Sequence, residues 1–372
     1  MRIGIVAYWF NRGQGVVARQ LRSALEQLGH ETFVLARPTR KTNIRPDWID
    51  HDGVWDQAGV TRGSDYLIGA DEYLRWASTN ELEVVMFDQN YQFAEIASLR
   101  ATDVRTIGRF VWEHFAPEHV EPAREAFETV YSMTACERER YAELGITSPR
   151  VRWGCHPDLI AAALTEEERP NSGRVRLLFP GGFMSKRKPL GETIAAFRAA
   201  NGPELRLLIK AQVDRRSGEV SRLMRGGSRF RPRDKRIELQ AAEVSTADYH
   251  RLMAAADACL APSRWEGLGL HLYEATALGV PLVTNDNPPM NEIVVDGRNG
   301  LLVPGIGDGQ ARSGIPAFRP DIPALTAAIE RLRDPELRSR LRAGARERRV
   351  ELDWSTTLAD LRVLIEPRSH AE

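Results

Sequence analysis

The chain is predicted to be an α/β protein of two doubly wound domains, each a parallel sheet covered by helices. Three observations carry this. Short apolar runs with the look of buried strands alternate with segments of helical apolar spacing along both halves of the chain. Strand passes to helix through glycine-containing turns at Tyr8–Gly15, Pro180–Gly182 and Glu266–Gly269. A length of 372 residues is enough for two domains that each bury a core.

In the first half, Arg2–Ala7 reads as a strand and Gln14–Leu28 as a helix with apolar spacing at Val17, Leu21, Leu25 and Leu28. The strand ETFVLA follows. The turn between them holds Gly13 and Gly15. As a dinucleotide fingerprint this turn lacks the third glycine, having Ala18 in its place, which counts against a nicotinamide enzyme. Further on, EVVMFDQN reads as a strand running into polar residues, with Asp88 near its end. RTIGRFVWEHFAPE reads as another, ending in Glu113 and His114. A His just past a strand end lies on the ligand side of an open α/β sheet. Read without a ligand, it is a loop-edge His that caps something.

The run AAALTEEERPNSGR is charged, ends in Pro and Gly and breaks the pattern, which places an interdomain link there. The predicted units are residues 1–165, 166–350 and a final segment 351–372. In the second, RVRLLFP is a strand and GGFMSKRKPLGETIAAF a glycine turn opening a helix with Leu190, Ile194 and Phe197 on its apolar face. Lys186, Arg187 and Lys188 stand together there, in a chain with only 5 Lys beside 46 Arg. The strand ELRLLIKAQ ends in Lys210, which is read equally as a ligand-facing strand-end residue and as a surface residue. A strand near Arg236–Leu239 and the segment TADYHRLMAAADACLAPS complete the succession.

Composition bounds the class. Apolar content of 42% and charged content of 27% suit a globular enzyme, and a net charge of zero gives no global field for nucleic acid. The segment Arg215–Arg236 holds nine basic residues against two acidic, and reads first as an exposed connection. Contact with an anionic acceptor, membrane surface or partner is the other reading. Cys136, Cys155 and Cys259 are widely separated and lack metal-ligand spacing, so neither disulfides nor zinc are expected. With no leader pattern and no apolar stretch of about eighteen residues, the chain is expected to be cytoplasmic, with at most peripheral membrane contact.

The chemistry concentrates in Ala261–Pro281, APSRWEGLGLHLYEATALGVP. A strand ends at Pro262, and a helix follows with Leu272, Ala275 and Leu278 on its apolar face. Gly267 and Gly269 let the loop turn sharply and approach a ligand, and the helix start offers unpaired N–H groups to an anion such as phosphate. Glu266 and Glu274 flank that place, so a ligand with a diphosphate between two hydroxyl-bearing ends fits: a nucleotide sugar. Without a ligand, the same pattern is a helix cap with one surface and one buried Glu.

EGLGLHLYEATALGVPLV resembles the signature of the retaining family four glycosyltransferases of GT-B fold. PS stands before it and NEIVVDGRNGLLVP behind it. The resemblance implies two Rossmann-like domains facing across a cleft, the donor held mainly by the second and the acceptor by the first. It implies that Glu266 contacts the donor sugar, Glu274 holds the ribose, and the amides of Gly267, Leu268, Gly269 and Leu270 face sugar and phosphates. Lys188 matches the family Lys at the diphosphate. Phe183 stands where the family has Arg, which leaves Arg187 or Lys186 to supply the charge. Gly13 and Gly15 match the glycine loop that closes on the donor, Lys210 joins the donor side, and His114 matches a His near the reacting sugar, with Glu113 and Asp88 as acceptor-side candidates. Trp153 replaces the Asn of the family's Asn-Gly motif, and Asp353–Trp354 fits the start of a last helix crossing back to the first domain. The insert GDGQARSGIPAFRP after Pro304 has no counterpart role.

The implied activity is sugar transfer from a nucleoside-diphosphate sugar, UDP or GDP, to an acceptor hydroxyl with retention, no metal and no further cofactor. A nucleotide-sugar epimerase or hydrolase of the same fold, a nicotinamide oxidoreductase and a non-catalytic binder are the alternatives. Donor base and sugar, the acceptor and the oligomeric state are not read from the sequence.

Overall fold

Strands rich in Val, Ile and Leu and buried on both faces are the mark of parallel sheets, and β1 (Arg2–Tyr8) and β7 (Val175–Gly182) are buried along nearly their whole length. The computed structural model describes residues 1–10, 12–39, 55–165, 173–182, 186–211, 234–241 and 244–366. They form two units, Met1–Trp153 with Ser355–Glu372, and Gly154–Trp354.

In the first unit, β1 pairs with β2 (Glu31–Arg37) and β4 (Val84–Asp88). The order is β3 (Val60–Arg62), β2, β1, β4, β5 (Arg105–Arg109), β6 (Thr129–Val130), all parallel. The helix Gly13–Gln27 connects β1 to β2. The core joins Val6, Leu35, Val85 and Phe87 of the sheet to Tyr73, Trp76, Ile96, Phe110, Phe127 and Tyr141.

β5 ends earlier than the sequence pattern predicts. Both main-chain polar groups of Phe110 are taken by the Tyr141 hydroxyl, which receives a bond from the Phe110 N–H at 3.2 Å and donates to the Phe110 carbonyl. With those groups removed from the ladder the strand stops at Arg109, and Glu113 and His114 fall in the turn beyond it.

The second unit repeats the plan. Its order is β12 (Gly300–Val303), β11 (Leu282–Asn285), β10 (Ala258–Leu260), β7, β8 (Leu205–Ala211), β9 (Ile237–Gln240), again parallel. Its core packs Val175, Leu177, Phe179, Leu207 and Ile209 against Ile194, Phe197, Leu325, Ile329 and Leu341. The insert after Pro304 is an antiparallel hairpin, β13 (Gly305–Gln310) with β14 (Pro316–Pro320). Asp321 and Asp334, each followed by helix-starting residues that include Pro, cap the helices Ile322–Arg331 and Pro335–Glu351 through the Ala324 and Glu336 N–H groups. No helix among the described residues is long and apolar enough to cross a membrane.

The units divide at Trp153/Gly154 and Trp354/Ser355, where the sequence pattern was divided after residues 165 and 350. The helix Pro157–Ala161 follows the second unit because Cys155 and Leu159 pack with Ala277. The Cys155 N–H donates to Leu352 O at 2.7 Å. The last helix, Trp354–Ile365, returns to the first unit. Arg152 makes a two-pronged contact with Asp360, Thr357 donates to Arg152 O at 2.8 Å, and Arg105 donates to Ile365 O at 2.7 Å. Phe183, residues 166–172 of the charged link and most of the basic segment (212–233) lie outside the described residues.

Packing requires Gly15, since a Cβ there would stand 2.0 Å from Phe10 O. Gly15→Ala is expected to cost about 1–3 kcal/mol of stability. Urea unfolding checks this, and an unchanged midpoint would refute the packing argument.

Candidate functional site

In each sheet the strand order reverses once, between β1 and β4 and between β7 and β10. Open α/β sheets bind ligands outside the carboxyl ends of the strands at that reversal. In the second unit the loops leaving β7 and β10 carry Lys188 and Glu266. The topology therefore brings together residues separated by 78 positions.

Glu266 is 2% exposed. Its Oε1 accepts from Lys188 Nζ at 2.6 Å and from Ser263 Oγ at 2.7 Å, and its Oε2 pairs with Arg187 Nη1 at 2.9 Å. Lys188 Nζ also donates to Ser263 Oγ at 2.9 Å and lies 3.4 Å from His271 Nε2. Burial by itself raises the Glu266 pKa, but the charges of Arg187 and Lys188 outweigh it and hold the carboxyl well below the usual 4.5. Burial pushes the Lys188 ammonium down while Glu266 draws it up. Burial first, and the Lys188 charge next, push His271 down to about 3, so it is a neutral imidazole near pH 7. Two cations against one carboxylate leave the cluster with an excess positive charge. It stands beside the start of the helix Leu270–Ala277, which adds the positive end of its dipole. The chemistry of the place suits an anion.

Gly269 caps that helix at φ +72°, in the left-handed region that glycine enters without cost. Gly267 and Leu268 are buried, and Leu270 is half-buried. Glu274, 6% exposed, faces His250 on the helix Thr246–Ala254, whose Nε2 is 3.6 Å from Glu274 Oε1. Lys210 is 2% exposed at the end of β8 and donates to Ala211 O at 3.0 Å, which overturns the reading of it as a surface residue.

Hairpin β13–β14 is tied to the Glu266 loop. Arg264 Nε pairs with Asp308 at 2.8 Å, the Phe318 N–H donates to Arg264 O at 3.0 Å, and Asn285 Nδ2 bonds Ser263 O at 3.1 Å. The Arg264 N–H donates to Arg187 O at 2.9 Å, joining the two loops of the cluster. Ser263 and His271 are members of the cluster that the sequence pattern did not single out. The signal was present: Ser263 is three residues before Glu266, and His271 interrupts an otherwise apolar helix start.

The remaining candidates belong to the first unit. Asp88 is buried as the counter-ion of Arg109, at 3.2 Å, and Arg109 also lies 3.6 Å from Glu137. Burial pushes the Asp88 carboxyl up while Arg109 pulls it down. Glu113 is 4% exposed and His114 is exposed. Gly13 begins the helix after β1, and a Cβ there would meet nothing within 4 Å. Lys186 is exposed. An Asp-x-Asp triplet, Asp50 to Asp52, stands in the sequence but outside the described residues.

Comparison with known proteins fits this geometry. Residues 174–332 match the family described as glycosyl transferases group 1. The matched stretch carries both Lys188 and Glu266. Curated relatives match over shorter segments. They include the D-inositol 3-phosphate glycosyltransferase of Jonesia denitrificans, 33% identical over 31% of this chain and 24% of its own length. The glycogen synthase of Mycobacterium tuberculosis is 32% identical over 30% of this chain and 25% of its own. The putative glycosyltransferase EpsD of Bacillus subtilis is 42% identical over 18% of this chain and 17% of its own. The chain thus spans about a quarter or less of each of these relatives. Solved structures match along nearly the whole chain. Sucrose-phosphate synthase from Thermosynechococcus elongatus has a TM-score of 0.72 at 16% identity, covering 98% of both chains. Anabaena HepE in complex with UDP and glucose has 0.69 at 13%, covering 98% of this chain and 99% of its own. At such identities the likeness is one of fold, and the fold is GT-B.

Because the folded-state pKa of Glu266 lies below its ordinary value, its stabilising contribution is complete above about pH 4.5 and is lost as pH falls further. Glu266→Gln is expected to lower Tm at pH 7 and to flatten the loss of Tm between about pH 5 and 3. An acid limb as steep as that of the unaltered protein would contradict the depressed pKa.

Proposed function

We propose that this protein is a glycosyltransferase that moves a sugar from a nucleoside-diphosphate sugar to an acceptor hydroxyl, with retention at the anomeric carbon. One observation carries the reading: a buried cluster of Lys188, Arg187 and Glu266 with excess positive charge, at the strand-order reversal of the second unit. The group 1 family match over that unit and the UDP and glucose bound to HepE support it.

In this reading the second unit holds the donor and the first the acceptor. Lys188, Arg187 and the amides from Gly267 to Leu270 receive the diphosphate, Glu266 the sugar hydroxyls and Glu274 the ribose. The bond from the anomeric carbon to the phosphate oxygen breaks, and the acceptor oxygen bonds that carbon from the same face. The acceptor proton passes to the departing phosphate. Cations already aimed at the developing charge stabilise the transition state without reorganising, and they do so in place of a metal ion. UDP or GDP is the proposed carrier. The acceptor is a glycan, lipid or small-molecule hydroxyl, and His114 and Glu113 are the candidates beside it. All three cysteines are buried thiols outside any disulfide, which supports a reducing, cytoplasmic setting.

The test is thermal stabilisation by UDP, GDP, ADP, dTDP and CDP sugars, without added metal and again with chelator, followed by an acceptor screen. One nucleotide class is expected to raise Tm by mass action and to survive chelator. Glu266→Ala is expected to lower transfer about 10²- to 10³-fold, and full turnover by that variant would refute its role. Nucleotide released equally fast without acceptor would favour a hydrolase, and tight binding of a nicotinamide dinucleotide an oxidoreductase.

A further inference from the structure

An ammonium carries three N–H donors and no acceptor. Three acceptors surround Lys188 Nζ: Glu266 Oε1 at 2.6 Å, Ser263 Oγ at 2.9 Å and His271 Nε2 at 3.4 Å. The Ser263 hydroxyl can accept from Lys188 because its own proton goes to Glu266 Oε1, 2.7 Å away. Since Lys188 can only donate, His271 Nε2 must accept, which puts the ring proton on Nδ1. All three donors of Lys188 are therefore engaged within the protein. An arriving phosphate oxygen can take a bond from this ammonium only by displacing one of the three.

The bonds are unequal. Those to Glu266 and Ser263 are short, and the two acceptors are coupled to each other through the serine proton. The bond to His271 is the longest and ends on an uncharged ring, because burial and the Lys188 charge keep the imidazole neutral. A hydrogen bond from an ammonium to an anionic oxygen is the stronger kind. The exchange of imidazole for phosphate is the favourable one.

We propose that His271 is a place-holder, accepting the third N–H of Lys188 while no donor is bound and surrendering it to the donor diphosphate. The inference rests on the proposed donor site, and it makes His271 a positioning residue that acts through Lys188. It has a signed consequence. An acceptor that competes with the ligand weakens ligand binding, so removing it strengthens binding, whereas loss of a merely structural or ligand-touching histidine weakens it.

The experiment measures UDP affinity, with GDP, ADP, dTDP and CDP in parallel, for the unaltered protein and for His271→Leu, His271→Gln and Lys188→Ala. Leu fills the space without an acceptor, and its affinity for the active diphosphate is expected to rise about threefold to tenfold. Gln supplies a neutral acceptor and is expected to restore the original affinity. Lys188→Ala is expected to abolish the gain in a double variant with His271→Leu. A lower affinity for the Leu variant while the unaltered protein binds overturns the inference alone. No binding of any diphosphate by the unaltered protein overturns the donor-site reading and the inference with it. A measurement independent of the folding of the Leu variant is ¹⁵N resonance of labelled histidines. The His271 signal, assigned by its absence from the Gln variant, is expected to show a neutral ring protonated at Nδ1, with an Nε2 shift that moves when the diphosphate is added. An unmoved signal overturns the inference.

Discussion

The buried pairing of Lys188 with Glu266 is the constraint around which the second unit is organised. Taking two charges out of water is costly, and a pair repays it only when the remaining donors and acceptors are also filled. Ser263, Arg187 and His271 fill them. Loss of Glu266 would leave the buried Lys188 ammonium without its carboxylate, whereas loss of Lys188 would leave Glu266 with Arg187 as its cation. The positions of the two loops follow from this, because the pair forms only if the chain leaving β7 and the chain leaving β10 emerge side by side. The parallel pairing of those two strands satisfies that need, and it also creates the ligand-binding reversal of strand order.

Several neighbouring features serve the same geometry. The bond from the Arg264 N–H to Arg187 O joins the two loops directly. Gly269 in the left-handed region lets the chain turn into the helix Leu270–Ala277 immediately after Glu266. The hairpin β13–β14 fastens the outer side of the loop through Arg264, Asp308 and Phe318. Asn285, at the end of β11, reaches both Ser263 O and Phe318 O. A half-exposed ion pair such as Arg264–Asp308 is worth little by itself. Here it acts together with main-chain bonds that hold the same segment from both sides.

Much of the second unit was legible in the sequence because its signals are local. Strand, glycine turn and helix follow one another within a few residues, and Lys188 and Glu266 stand at strand–helix junctions where ligand contacts gather. Ser263 and His271 left only a faint signal there. A serine beside a proline and a histidine in an apolar helix are ordinary in isolation, and only their distance to Lys188 gives them meaning. The first unit was read less well near its strand ends. β5 was predicted to run to His114, whereas Tyr141, from a helix about thirty residues further along the chain, takes the main-chain groups of Phe110. Asp88 sits near a strand end as ligand-facing residues do, yet its carboxylate is turned to Arg109.

The sequence by itself determined the alternation of strands and helices, the presence of two parallel sheets, the glycine at the helix cap and the charged residues that enter the site. Those properties depend on side-chain periodicity and on backbone preferences within a few positions. Tertiary structure alone decided which charges meet. Lys188 was paired with Glu266, Asp88 with Arg109 and Arg264 with Asp308, and the unit boundary fell at Trp153. Such pairings depend on which strands lie side by side and how much water is excluded between them, and a one-dimensional pattern carries neither quantity.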